Sequence, residues 1–172
     1  MTDKTTIDLL PWKNIRCLLL DSDGVLTDGG VYQSGTDAPE YRRFDIKDGY
    51  GIVQLIKRGI QVAIISKSPS TPVRKRCEKL GMSEIHLGVA HKLSCADEIR
   101  QRYGLKWQEI AFMGDDIPDL ELLQKVGISL APLDAVKTIR ESVHWVSQYP
   151  GGKGAVREVA DLLLDVEVQV SG

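Results

Sequence analysis

A chain of 172 residues, 42% apolar and 27% charged, has enough length to bury about two thirds of its unfolded surface in one domain without covalent staples. A net charge of −2 gives no basic surface for nucleic acid or an anionic membrane, and no apolar run approaches the ~18 residues of a membrane span. Three cysteines without metal-type spacing argue against a disulfide scaffold and fit a reduced, cytoplasmic setting.

In chain order, Met1 to Trp12 has no long apolar segment, and Ile15 to Leu20 follows as a buried strand. That strand delivers Asp21 and Asp23 onto a loop with Gly24, where the backbone can approach a ligand closely. Two carboxylates so near each other repel unless a cation or a proton intervenes, which points to a divalent metal. Residues 30–44 read as a hairpin, two β-prone pieces around Ser34-Gly35-Thr36-Asp37. Asp48-Gly49 is expected to open an amphipathic helix, Ile52 to Lys57, with Gly59 in the helix-stopping position. The β-branched run Ile60 to Ile65 predicts a strand covered on both faces and ending at Ser66. Ser70-Thr71-Pro72 then has the cap-and-proline signature of a helix start.

Glu84 to Leu87 is a third strand and Lys92 to Tyr103 a helix. Ile110 to Gly114 forms a fourth strand running into a second acidic loop, Asp115-Asp116-Ile117-Pro118-Asp119. Helix 120–125, strand 127–130, helix 134–142, strand 144–146 and a last helix near 155–164 complete the series. Alternating elements with short links predict one α/β domain spanning 1–172, a Rossmann-like doubly wound and mostly parallel sheet with helices on both faces. Ligands in such sheets sit beyond the carboxyl ends of the strands, so Asp21, Asp23, Ser66, Asp115, Asp116 and Asp119 share one rim that the long side chain of Lys92 can reach.

That set suits phosphoryl transfer through an aspartyl intermediate. Asp21 is the expected nucleophile. Asp23 protonates the leaving alcohol and later deprotonates water. Asp115 completes a Mg2+ site with Asp116 close by, and Ser66 and Lys92 hold phosphate oxygens. Thr27, in the first loop, is a further candidate for substrate contact, and Asp119 is expected to support the site from behind.

The nine residues from Asp21 to Gly29, the hydroxyl of Ser66, Lys92, and Gly114-Asp115-Asp116-Ile117-Pro118-Asp119 together resemble the four motifs of the haloacid dehalogenase superfamily. Phe44 to Gly51, His91-Lys92-Leu93 and Gly151 to Glu158 are similar to its small capless branch, typified by 3-deoxy-D-manno-octulosonate 8-phosphate phosphatase. The resemblance implies a magnesium-dependent phosphatase of lipopolysaccharide biosynthesis acting on a 2-keto-3-deoxy sugar acid phosphate, with 3-deoxy-D-manno-octulosonate 8-phosphate the expected substrate. It implies metal ligation by Asp21, by the backbone carbonyl of Asp23 and by Asp115. It also implies a homotetramer in which the hairpin, standing in place of a cap domain, covers a neighbour's active site.

Ser66-Lys67-Ser68 departs from the Thr-Gly-Arg or Thr-Gly-Glu of many members. Lys67 can supply positive charge to the substrate's carboxylate, as a point charge rather than a fork. This departure leaves a nine-carbon sugar acid, or a catalytically silent assembly module, as alternatives. A phosphorylation-switched receiver domain fits less well, because no aspartate ends the Glu84 to Leu87 strand.

Overall fold

The structure, a computed structural model, describes residues 10–32 and 40–168, the last four of them by backbone alone. Six strands form one sheet: β1 (Cys17–Leu20), β2 (Gln61–Ser66), β3 (Glu84–Leu87), β4 (Ile110–Met113), β5 (Ile128–Ala131) and β6 (Trp145–Val146). Their order is β3-β2-β1-β4-β5-β6, and every pairing is parallel. The chain builds outward from β1 in one direction through β2 and β3. It then returns to β1's other side for β4, so the reversal of strand order falls between β1 and β4.

Each helix follows from local chemistry. Helix α1 (Ile46–Lys57) starts earlier than the Asp48-Gly49 pair suggests, because Asp45 is its cap and accepts a hydrogen bond from the Lys47 N–H at 2.7 Å. Helix α2 (Thr71–Lys79) carries Pro72 in its first turn, where a missing N–H costs nothing. Ser70 precedes it but does not cap it, since its hydroxyl donates to Glu40 Oε1 at 3.0 Å. Helices α3 (Lys92–Arg102), α4 (Leu120–Leu123), α5 (Lys137–Ser142) and α6 (Ala155–Val168) complete the set. The middle two are shorter than the sequence pattern implies, and α6 runs on past Leu164.

The two-residue period of β1 divides the core. Leu18 and Leu20 face α1, α2 and α6 through Ile52, Leu55, Val73, Val156 and Val159. Cys17 and Leu19 face α3, α4 and α5 through Ile99, Leu122, Leu123 and Ile139. All four β1 side chains are fully buried, so Leu19→Ala would cost about 2–5 kcal/mol. Trp12 and Trp145 are buried edge to face with ring centres 6.1 Å apart, so these two tryptophans cover core rather than bind ligand. In the hairpin region Thr27 pairs with Phe44 and Tyr32 with Tyr41, both antiparallel, while 33–39 lie outside the described residues.

Candidate active site

Strand β1 sits at the centre of the sheet and releases its chain at Asp21, whose N–H still bonds the Met113 carbonyl at 3.0 Å. The backbone then makes one wide turn, Ser22–Leu26, closed by Thr27 N–H donating to Ser22 O at 3.0 Å. Gly24 within it has φ +82°, and a Cβ there would strike the Asp115 carboxylate. Glycine is therefore required twice over, for the left-handed backbone and for the close approach of the β4 loop.

From the other side of the switch point, β4 passes through Gly114 into Asp115–Asp119. Asp119 Oδ2 accepts the Asp115 N–H at 3.0 Å and so folds this loop back on itself. Lys92, the first residue of α3, is buried and places Nζ 2.6 Å from Asp21 Oδ1 and 2.6 Å from Asp119 Oδ1. Ser66 ends β2 with its Oγ accepting the Ser68 N–H at 3.1 Å. A cleft of about 240 Å³ is lined by Asp21, Asp23, Ser66, Lys67, Lys92, Asp115, Asp116 and Asp119.

Thr27 is not in that cleft. It is fully buried and its hydroxyl donates to Ser22 O, which assigns it to holding the turn rather than to substrate contact. Asp119 comes closer than a supporting position suggests. Among the described residues, one carboxylate oxygen from each of Asp21, Asp115 and Asp119 lies within 4.8 Å of the others. Both Asp119 oxygens are already engaged, one by Lys92 and one by backbone. Asp23's carboxylate is outside this trio and lies 3.7 Å from the Arg42 guanidinium.

The electrostatics fit a cation. Burial drives the Asp21 carboxyl pKa upward, the neighbouring Asp119 charge adds to that, and Lys92 opposes it. Asp115 is raised as well, first by burial and then by Asp21 and Asp119. The Lys92 ammonium is held charged beyond its ordinary range by the same two aspartates, against the effect of burial. With all three carboxyls ionised, the one ammonium would leave two negative charges unbalanced in a largely buried site, the charge of one divalent ion. Oxygen-only donors at this spacing suit a hard cation such as Mg2+.

A further buried carboxylate braces the site from below. Asp48, inside α1 and fully buried, accepts N–H bonds from Gly154 at 3.3 Å and Arg157 at 2.8 Å, tying α1 to the start of α6. The turn before α6 is thereby pressed onto the Asp21 loop. Gly152 N–H donates to Val25 O at 2.9 Å, and a Cβ on Gly151 would strike the Gly24 carbonyl. Sequence reading gave Asp48 only the part of a helix opener. The available signal was glycine where helices avoid it, at 49 and 51, and the cluster at 151–154, both marks of close backbone approach.

Comparison with known proteins shows the family of the chain. A family model described as haloacid dehalogenase-like hydrolase matches residues 78–158. The 3-deoxy-D-manno-octulosonate 8-phosphate phosphatase of Escherichia coli K12 is 39% identical over 152 residues, which cover 88% of this chain and 80% of that protein. A crystal structure of the Yersinia pestis phosphatase of the same name superposes with a TM-score of 0.91 at 35% identity, covering 98% of this chain and 90% of that one. That of Moraxella catarrhalis, in complex with magnesium ion, phosphate ion and a KDO molecule, gives a TM-score of 0.87 at 29% identity, covering 98% of each.

Proposed function

The chain belongs to the haloacid dehalogenase-like hydrolases, and on that premise we propose that it is a Mg2+-dependent phosphatase converting 3-deoxy-D-manno-octulosonate 8-phosphate to the free sugar acid and phosphate, for lipopolysaccharide synthesis. The observation that carries this reading is the Asp21, Asp115 and Asp119 trio with Lys92 bridging two of its members. The relatives' names supply the substrate.

Asp21, Asp115 and the Asp23 carbonyl would hold the metal, which when bound supplies positive charge between nucleophile and phosphate. Asp21 is the nucleophile. Lys92 holds its Oδ1, which fixes the side chain and leaves Oδ2 to attack phosphorus. The Asp21 oxygen to phosphorus bond forms as the bond to the sugar oxygen breaks. Asp23 gives its proton to that leaving oxygen and then, as a carboxylate, takes one from the water that releases phosphate. Ser66 and Lys92 bind phosphate oxygens. Lys67, exposed at the cleft, meets the sugar's carboxylate. Asp116 and Asp119 shape the acidic loop through backbone N–H bonds, at Ile117 for the one and at Asp115 for the other.

The same proposal takes 1–172 as one catalytic domain working as a homotetramer, with the hairpin of one subunit over the cleft of another. Val31, Tyr32 and Tyr41 support it, being large apolar side chains that stand exposed on the hairpin arms. A reducing, cytoplasmic location is supported by Cys17, Cys77 and Cys95, all free and buried.

Phosphate release should be compared for the eight-carbon sugar acid 8-phosphate, a nine-carbon sugar acid 9-phosphate and 4-nitrophenyl phosphate, with Mg2+ and with chelator. The proposal expects the eight-carbon ester to be preferred and chelator to stop turnover. Preference for the nine-carbon ester, or no preference over the aryl ester, removes the named substrate.

A further inference from the structure

We propose that Arg42, at the base of the hairpin, is a positioning residue for the acid and base Asp23, within the same subunit. This rests on the phosphatase reading above and adds a residue to it. The Arg42 side chain is only 7% exposed although it belongs to a surface hairpin. Its Nη1 donates to the Gly30 carbonyl at 3.0 Å, across the two arms. Its Nε lies 2.6 Å from Glu40 Oε1 and 3.7 Å from Asp23 Oδ1, and is aligned with neither as a hydrogen bond. Glu40 Oε1 in turn accepts the Ser70 hydroxyl at 3.0 Å. A guanidinium is thus wedged between two carboxylates. One of these is tied to the segment after β2, and the other belongs to the cleft.

Asp23 needs such a partner. Its Oδ1 is buried, yet it has no hydrogen-bond donor among the described residues. A carboxylate oxygen out of water without a donor is held by charge alone, and among the described residues Arg42 is the cation within reach. With Oδ1 drawn to Arg42, Oδ2 is the oxygen left to exchange a proton with the leaving group. A short side chain that must meet the ester oxygen within hydrogen-bond distance gains from a fixed rotamer. The hairpin therefore has a task in its own subunit, besides any cover it gives a neighbour.

The test uses leaving groups. A sugar alkoxide must be protonated as the phosphorus–oxygen bond breaks, whereas 4-nitrophenolate leaves without a proton. Single-turnover phosphorylation of the Mg2+-loaded full chain is measured with both esters. Arg42→Met is expected to slow the sugar ester by about 10- to 100-fold more than the aryl ester, part of the full worth of acid catalysis. Arg42→Lys is expected to recover much of the difference, and Glu40→Gln to show a smaller effect in the same direction. Equal losses on both esters, or none, overturn the positioning role while leaving the phosphatase reading intact. If Arg42→Met does not fold, the Lys and Gln variants decide by the same ratio. A wild-type protein that transfers phosphate from neither ester defeats the underlying function instead.

Discussion

Asp21 and Asp48 are both buried carboxylates, raised above the ordinary aspartate range first of all by loss of water, and they differ in what offsets that burial. Around Asp21 the offset is an ammonium, and other acids crowd the same space. Around Asp48 it is two backbone N–H groups at the first turn of α6, where a helix offers unpaired donors and the positive end of its dipole. The first region is charge-loaded and open to a cleft, which suits it to take up a cation and a phosphate. The second is closed and has no nearby cation in its balance, which suits it to join two helices. A raised pKa alone does not separate a catalytic acid from a structural one; its partners do.

The widest separation between the two regions is expected from removing each charge in turn. Asp21→Asn should abolish turnover while the melting temperature holds or rises, since a repulsive buried charge beside Asp115 is lost. An active, correctly folded variant would contradict the nucleophile assignment. Lys92→Met should come next, because it strips the ammonium that bridges two buried carboxylates. A loss of about 3–5 kcal/mol by chemical denaturation without metal is expected, partly restored by Mg2+. A loss that Mg2+ leaves unchanged would argue that Lys92 is structural alone.

The smallest effect belongs to Asp48 and is visible as pH dependence. Its folded pKa of about 6 lies above the ordinary aspartate value of 3.8, so the folded state holds the proton more tightly than the unfolded chain. That contribution is fully present below pH 3.8 and is lost as pH rises through about 6. Relative to Asp48→Asn, the wild type should lose about 2–3 kcal/mol between pH ~4 and ~6 and run parallel above. Denaturation curves across that range that stay parallel throughout would show that burial does not perturb this carboxyl.

What could be read without coordinates follows from where each signal resides. Strand ends are local features, and the rule that ligands gather at the carboxyl edge brings Ser66 and Asp115 to Asp21, although they lie 45 and 94 positions beyond it in the chain. Lys92 was reachable by the same logic because it opens a helix. Thr27 lies away from its expected place in the cleft, because a hydroxyl next to a catalytic loop looks alike in sequence whether it faces ligand or, as here, its own backbone. Asp48, Glu40 and Arg42 depend on distant partners, residues 154 and 157 for the first and Asp23 with Ser70 for the others. No periodicity encodes such pairings. Asp45 hid the role of Asp48 further, since two acids near a helix start both pass for caps.

The claim that most of this account depends on is that the Asp21 side chain carries the phosphoryl group between substrate and water. Rapid acid quench during turnover, borohydride reduction of any acyl phosphate and peptide mass spectrometry would locate it. Homoserine at position 21 is predicted, absent from unreacted protein and from the Asp21→Asn variant. Homoserine at 115 or 119 instead, or none while phosphate is being released in quantity, would contradict it.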